Sequence, residues 1–261
     1  MTAERRPLVS IVIPNFELGR FVGEAVASAL AQTHPAVEVI VVDDGSRDDS
    51  LARIRATPGV RAGRVELVAQ ANGGVARARN AGAARATGEY LVFLDADDLL
   101  EPAYVERCLA ALRAAPPSTG YAYTQMRYFG AAEGLYRSKP FGRWRLIRGN
   151  FVNASALVRR DAFEAAGGFD PGLTGHEDHA LWVALLEHGW TGVLVAEPLL
   201  RYRRHEEASR NTLTRARLRE LHADVAVRHP RLFWWHLLLH PGRARSAAER
   251  LRQAGPWPPR R

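Results

Sequence analysis

The chain has 261 residues, 47% hydrophobic and 25% charged, which fits a globular protein with a real core and excludes a fibrous or low-complexity one. Its net charge of +8 is uneven: residues 201–261 hold 15 Arg and 5 acids, whereas residues 1–200 hold 21 basic and 23 acidic side chains. A nucleic-acid-binding core is therefore excluded, and any contact with an anionic surface belongs to the final segment.

Cys108 is the lone cysteine, so neither an internal disulfide nor a cysteine zinc site is available and a reducing compartment is expected. The opening stretch "MTAERRPLVSIVIPNF" lacks a long apolar region and a small-residue cleavage site, so no secretory leader is expected. No apolar run reaches the ~18–20 residues that span a bilayer. A cytoplasmic location follows as the expectation.

"LVSIVI" (8–13) is a β-branched apolar run ended by Pro14-Asn15 and reads as a buried strand. Residues 19–33 show helical apolar spacing, and "VEVIVV" (37–42) is a second buried strand ended by "DDGS". Ser46 followed by Asp49 resembles a capping box for the next helix. A strand at 64–69, a helix at 73–87 and a strand at 90–94 follow. This alternation predicts an α/β fold with a mostly parallel sheet, its polar residues clustered at the carboxyl edge where such folds bind ligands.

Beyond residue 100 the pattern is mixed. It predicts helices near 102–115, 161–166 and 177–188, and strands near 120–128, 154–158 and 191–196. Residues 212–228 and 231–253 read as Arg-rich helices enclosing the aromatic cluster "LFWWHLLL" (232–239), and "GPWPPRR" reads as disordered. The expected organisation is one α/β domain over 1–205, with halves at 1–100 and 101–205, followed by a basic helical extension over 206–261.

Several clusters carry chemistry. In "FLDADDLL", Asp95 and Asp97 fall on one side of an extended segment and can converge on Mg²⁺ or Mn²⁺, which favour oxygen ligands and substrate phosphates; a solvated helix cap explains the same acids. In "VVDDGS", Asp43 and Asp44 can accept hydrogen bonds from a nucleobase or ribose, or simply cap a helix. "NGGVARARN" sets Asn72 and two glycines before a helix, a suitable phosphate site, with Arg77 and Asn80 on one helical face. Asp178 in "GHEDHALW" can act as a general base or merely favour a helix N-terminus. His205 in "RYRRH" is, taken alone, a structural histidine.

The ordered series of these motifs over roughly residues 7–206 resembles family 2 glycosyltransferases of the GT-A fold: "VSIVIPNF", "VVDDGSRDDS", "NGGVARARNAG", "GEYLVFLDADD", "GGFDPGLTGHEDHALW" and "YRRH". The resemblance implies that Pro14, Asn15 and Phe16 line a base pocket and that Asp44, with Asp43 beside it, contacts base or ribose. It further implies that Arg77 and Asn80 sit near the acidic cluster with Asn72, and that Asp95-Ala96-Asp97 is the Asp-x-Asp element. Asp95 would turn towards ribose and Asp97 would hold the metal, with His205 approaching it; Asp178 would be the catalytic base. The implied reaction is inverting transfer of a sugar from a UDP- or dTDP-sugar, with Mg²⁺ or Mn²⁺, to a carbohydrate, lipid-linked or small-molecule acceptor. Peripheral membrane contact through 206–261 is a further expectation. A nucleotidyltransferase or a receiver-type phosphoacceptor domain remain the alternative readings.

Overall fold

The computed structural model describes residues 6–206 and 215–252. β1 (Val9–Asn15) is buried along its whole length, as a parallel strand covered on both faces must be. α1 (Gly19–Leu30) buries Val22, Ala25, Val26 and Ala29 at helical spacing. β2 (Val37–Asp43), α2 (Ser50–Ala56), α3 (Pro58–Arg61), β3 (Val65–Ala69), α4 (Val75–Arg85) and β4 (Tyr90–Phe93) complete the first half. β1 pairs in parallel with β2 and β4, and β2 pairs in parallel with β3. Their carboxyl ends therefore share one edge of the sheet.

The second half comprises β5 (Leu99–Leu100), α5 (Tyr104–Ala114), β6 (Thr119–Gly130), β7 (Gly134–Tyr136), α6 (Arg143–Arg148), β8 (Leu157–Arg159), α7 (Arg160–Ala165), α8 (Glu177–Glu187) and β9 (Thr191–Arg204). The sheet order is β3-β2-β1-β4-β8-β6-β9-β5, with β7 paired to β6. β8 is antiparallel to β4 and β6, whereas β6 and β9 run parallel. One continuous sheet thus joins the two halves expected from the sequence. One apolar cluster lies on the α1, α2 and α5 side, and the other lies under α4, α7 and α8.

The last helices are α9 (Arg215–Arg228), α10 (Pro230–Leu239) and α11 (Pro241–Arg252). Val225, Ala226 and Phe233, each 0% exposed, join the core beneath α8. Ion pairs of Arg228 with Asp170 (2.7 Å) and His229 with Glu187 (2.8 Å) fix this docking. The segment read as one helix over 231–253 is broken at His240, because Pro241 supplies no N–H to continue α10 and opens α11 instead. The helix start at 212 and the "GPWPPRR" stretch lie outside the described residues.

β9 is longer than the strand expected at 191–196. Its pairing with β6 jumps from Val195 to Leu200, so Glu197-Pro198 is accommodated as an irregularity and the strand continues through Arg204. This extension delivers His205 to the acidic edge. The capping box is also absent: no side chain caps α2, and Ser46 Oγ instead donates to Asp43 (2.7 Å).

Candidate active site

A cavity of about 960 Å³ opens along the carboxyl edge of β1, β2 and β4. Pro14, Asn15, Phe16, Asp44 and Asn72 line one end, and Asp95, Ala96, Asp97 and His205 line the other. Arg79 and Glu177 form part of its wall, and Arg20, Arg203 and Arg204 add cationic groups.

The turn after β4 shapes the acidic end. Asp98 donates its backbone N–H to the Asp95 carbonyl (3.0 Å), closing a tight turn that presents Asp95 and Asp97 to the cavity. Asp98 itself is buried, and its carboxylate accepts the Arg203 backbone N–H (2.9 Å). Burial and then the neighbouring charges of Asp95 and Asp97 push its carboxyl well above the usual range. Arg203 further donates to the Asp97 carbonyl (2.9 Å) and pairs with Glu24 (2.8 Å). The end of β9 is thereby riveted to this turn.

His205 Nε2 lies 2.7 Å from Asp97 Oδ2. Among the described residues no three His, Cys, Asp or Glu side chains form a metal cage. One carboxylate and one imidazole beside an open cavity nevertheless suit Mg²⁺ or Mn²⁺, which take few protein ligands and complete their shell with water and phosphate oxygens. The donor set therefore fits the implied ion.

Arg79 is the residue that binds the halves of the site together. It is 3% exposed, and its guanidinium donates to Asp95 (2.7 Å) and Glu177 (3.0 Å) while lying over the Phe169 ring. Burial opposes its charge, but Asp95 and Glu177 more than offset that and hold it protonated. Arg77, expected in this place, is instead exposed, with its stem beside Gly73. Two residues along a helix turn a side chain by roughly 200°, so Arg77 and Arg79 point to opposite sides.

Three other expected contacts are placed differently. Asp43 is 1% exposed, and its oxygens accept from Asn15 Nδ2 (2.9 Å), Ser46 Oγ (2.7 Å) and the Ser46 N–H (3.2 Å), so it braces the turn beneath the cavity. Asn80 donates to the Phe169 carbonyl (2.7 Å) and accepts its N–H (2.9 Å), pinning the "GGFD" loop. The amides of Gly73 and Gly74, expected to face phosphate, donate instead to Asp44 (2.9 and 2.8 Å). Gln70 donates to the same carboxylate (2.7 Å), and Asn72 donates to the Asp44 carbonyl (3.0 Å). Gly74 adopts φ +87°, a conformation that favours glycine, to turn its N–H this way.

At the far wall, α8 begins after His176, which takes a left-handed conformation (φ 59°). Glu177 lines the cavity, whereas Asp178, the next residue, is not part of its lining. Asp178 accepts hydrogen bonds from Asn150 Nδ2 (2.7 Å) and the His179 N–H (2.7 Å). Burial raises the Asp178 carboxyl above its ordinary value, partly opposed by Arg79. The Glu177 carboxyl is raised by burial too, but it carries the direct Arg79 ion pair. Sequence reasoning missed Arg79, Glu177, Asn150 and Arg203; the Glu-Asp pair opening "EDHALW" and the second Arg of "ARARN" were the available signals.

The profile of glycosyl transferase family 2 matches residues 10–167. The chain belongs to that family. Among curated members it is 34% identical over 236 residues to the O-antigen biosynthesis protein RfbC of Myxococcus xanthus, covering 85% of this chain and 18% of RfbC. It is 32% identical over 192 residues to the chondroitin synthase of Escherichia coli, covering 72% of this chain and 28% of that protein. The family member described here thus spans between about a fifth and a third of the curated relatives' length. Solved structures share its GT-A fold. S. aureus TarS with UDP superposes with a TM-score of 0.65 at 18% identity, covering 95% of this chain and 81% of TarS. The mannosyltransferase PcManGT from Pyrobaculum calidifontis, with GDP-Man and Mn²⁺, gives 0.64 at 21% identity, covering 96% and 74%. Family membership removes the nucleotidyltransferase and receiver-domain alternatives.

Proposed function

We propose that the chain transfers a sugar from a nucleoside-diphosphate sugar to an acceptor hydroxyl with inversion at the anomeric carbon. The observation that carries this reading is the convergence of Asp95, Asp97, His205 and Arg79 on a single cavity that also reaches Asn15 and Asp44. Its ~1,000 Å³ scale suits a nucleotide sugar. Asn15 and Phe16 would flank the base, and Asp44 would receive a base or ribose hydrogen bond on its remaining lone pairs. UDP is the preferred nucleotide, with dTDP next; TarS was solved with UDP.

A divalent cation held by Asp97 and His205 would neutralise the charge that grows on the departing diphosphate. Arg79 pairs with Asp95 (2.7 Å) and holds it at the cavity wall. Arg20 and Arg204 supply further positive charge along the same wall. Asp178 accepts the proton of the attacking hydroxyl, while Asn150 holds its carboxylate in one orientation. Glu177 is the poorer base, because the Arg79 ion pair stabilises its charged form. The named relatives act in O-antigen and chondroitin assembly, so a carbohydrate or lipid-linked saccharide is the acceptor class we favour, in cell-envelope polysaccharide synthesis at the cytoplasmic side of the membrane.

Asp178→Asn tests the base directly. The variant should keep nucleoside diphosphate binding within about twofold and lose transfer by at least ~10²-fold. Unimpaired turnover would remove Asp178 from this role and shift attention to Glu177.

A further inference from the structure

α10 is apolar on two sides. Leu232, Phe233 and His236 face inward and are buried, as the core under α8 requires. The opposite side is also apolar: Trp234 is 62% exposed, Leu238 71% and Leu239 69%. A helix that is apolar all round is normally covered all round, and among the described residues only one of the two covers is present.

The surroundings identify the missing cover. Arg231 lies one turn before Trp234 on the exposed side, and Arg243 and Arg245 follow Leu239 at the start of α11; all three are exposed. A second concavity, about 350 Å³, lies between α9 and α11 and is lined by Arg219, Arg243, Arg250, Ser246 and Glu220, whose carboxylate is paired with Arg217 (3.0 Å). Of these arginines Arg250 is paired with Asp224 (2.6 Å). The described stretch 215–252 holds nine Arg and three acids. A second copy of the chain would bring like charge against like, so self-association through this face is disfavoured.

We infer that α10 and α11 form a docking surface for an anionic phospholipid bilayer. Trp234, Leu238 and Leu239 enter the interfacial layer, and the arginine-lined groove receives lipid phosphates. Exposed Trp and Leu beside clustered Arg are the side chains that an interface of this kind selects. The ten residues of α10, kinked at Phe233, reach at most about 15 Å, too short to cross a bilayer, so the helix lies along the surface. Among the described residues no helix is long and apolar enough to cross a membrane. The inference stands independently of the transferase reading.

The test is sedimentation of the full chain with phosphatidylcholine vesicles and with vesicles containing phosphatidylglycerol, at low and high salt. Binding to the anionic vesicles is expected, weakened at high salt. Trp234→Ser with Leu238→Ser should lower the partition coefficient by at least about tenfold. Arg231→Gln with Arg243→Gln should lower it by about fivefold for each Arg. All four side chains are exposed, so thermal melting should be unchanged, and metal-dependent nucleoside diphosphate binding reports the catalytic site separately. Failure of the unaltered chain to bind anionic vesicles overturns the inference. So does binding insensitive to both sets of substitutions, or a dimer in solution that the apolar substitutions abolish.

Discussion

At the scale of single residues, the chemistry of the site depends on one buried cation. Arg79 holds Asp95 and Glu177 from two different segments, 2.7 and 3.0 Å away. Removing one partner of a buried ion pair leaves uncompensated charge, at a cost of about 3–5 kcal/mol. Arg79→Ala should therefore lower the free energy of unfolding by about 3 kcal/mol, while Arg77→Ala should stay within about 0.5 kcal/mol. Urea denaturation of both variants checks this; equal effects would refute the distinction. The sequence places both arginines in one motif, and only the rotation of a formed helix decides which one enters. The Asp-x-Asp element was legible at the end of its strand, whereas His205 was tied to it only by the family resemblance, because the strand expected at 191–196 stops short of it. Asp43, Asn80 and the Gly73-Gly74 amides were harder, because polar groups beneath a site use the same residue types as groups within it.

At the scale of elements, α8 connects the catalytic edge to the last helices through histidines. His176, His179, His222, His236 and His240 follow one another with ring centroids 4.9–6.1 Å apart. His179 Nε2 meets the Leu146 carbonyl at 2.7 Å and therefore carries its proton there as a neutral ring. Burial, with neighbouring histidines adding to it, lowers His222 to about 4, and burial likewise lowers His179 to about 4. The unfolded chain binds these protons near pH 6.5 and the folded chain only near 4. Stability fully present above pH 6.5 is therefore lost progressively as the pH falls towards 4. The loss should be on the order of 5–6 kcal/mol for the two sites together. His222→Phe should roughly halve that pH dependence in denaturation measured from pH 7 to 4.5; an unchanged slope would contradict it. None of this was readable beforehand, since the histidines come from α8, α9 and α10 and their meeting depends on tertiary packing. The reading of one helix over 231–253 passed over Pro241, the available signal for the break, and the length of β9 was not readable, because Glu197-Pro198 interrupts its pattern while long-range pairing with β6 restores it.

At the scale of the whole molecule, the last helices carry an excess of basic charge, nine Arg against three acids over 215–252, yet they are not a detachable appendage. Val225, Ala226 and Phe233 complete the core beneath α8, and Asp170 and Glu187 hold ion pairs to Arg228 and His229. A chain ending at residue 206 should expose that apolar face, lose several kcal/mol of stability and melt at least about 5 °C lower. A truncated chain that melts like the full one would show the docking to be energetically neutral. The alternation of strands and helices made the first half of the fold readable. The antiparallel return through β8 and the parallel β6–β9 pair depend on contacts 35 to 74 residues apart, which local pattern does not encode.

The central claim is that one cavity binds a nucleoside diphosphate through a metal held by Asp97 and His205. Calorimetric titration of UDP, dTDP and GDP, with and without Mn²⁺, tests it most directly. The account predicts tight binding of one of the three only when Mn²⁺ is present, reduced at least about tenfold in Asp97→Ala. Absence of binding for all three, or metal-dependent affinity unchanged in Asp97→Ala, would contradict it.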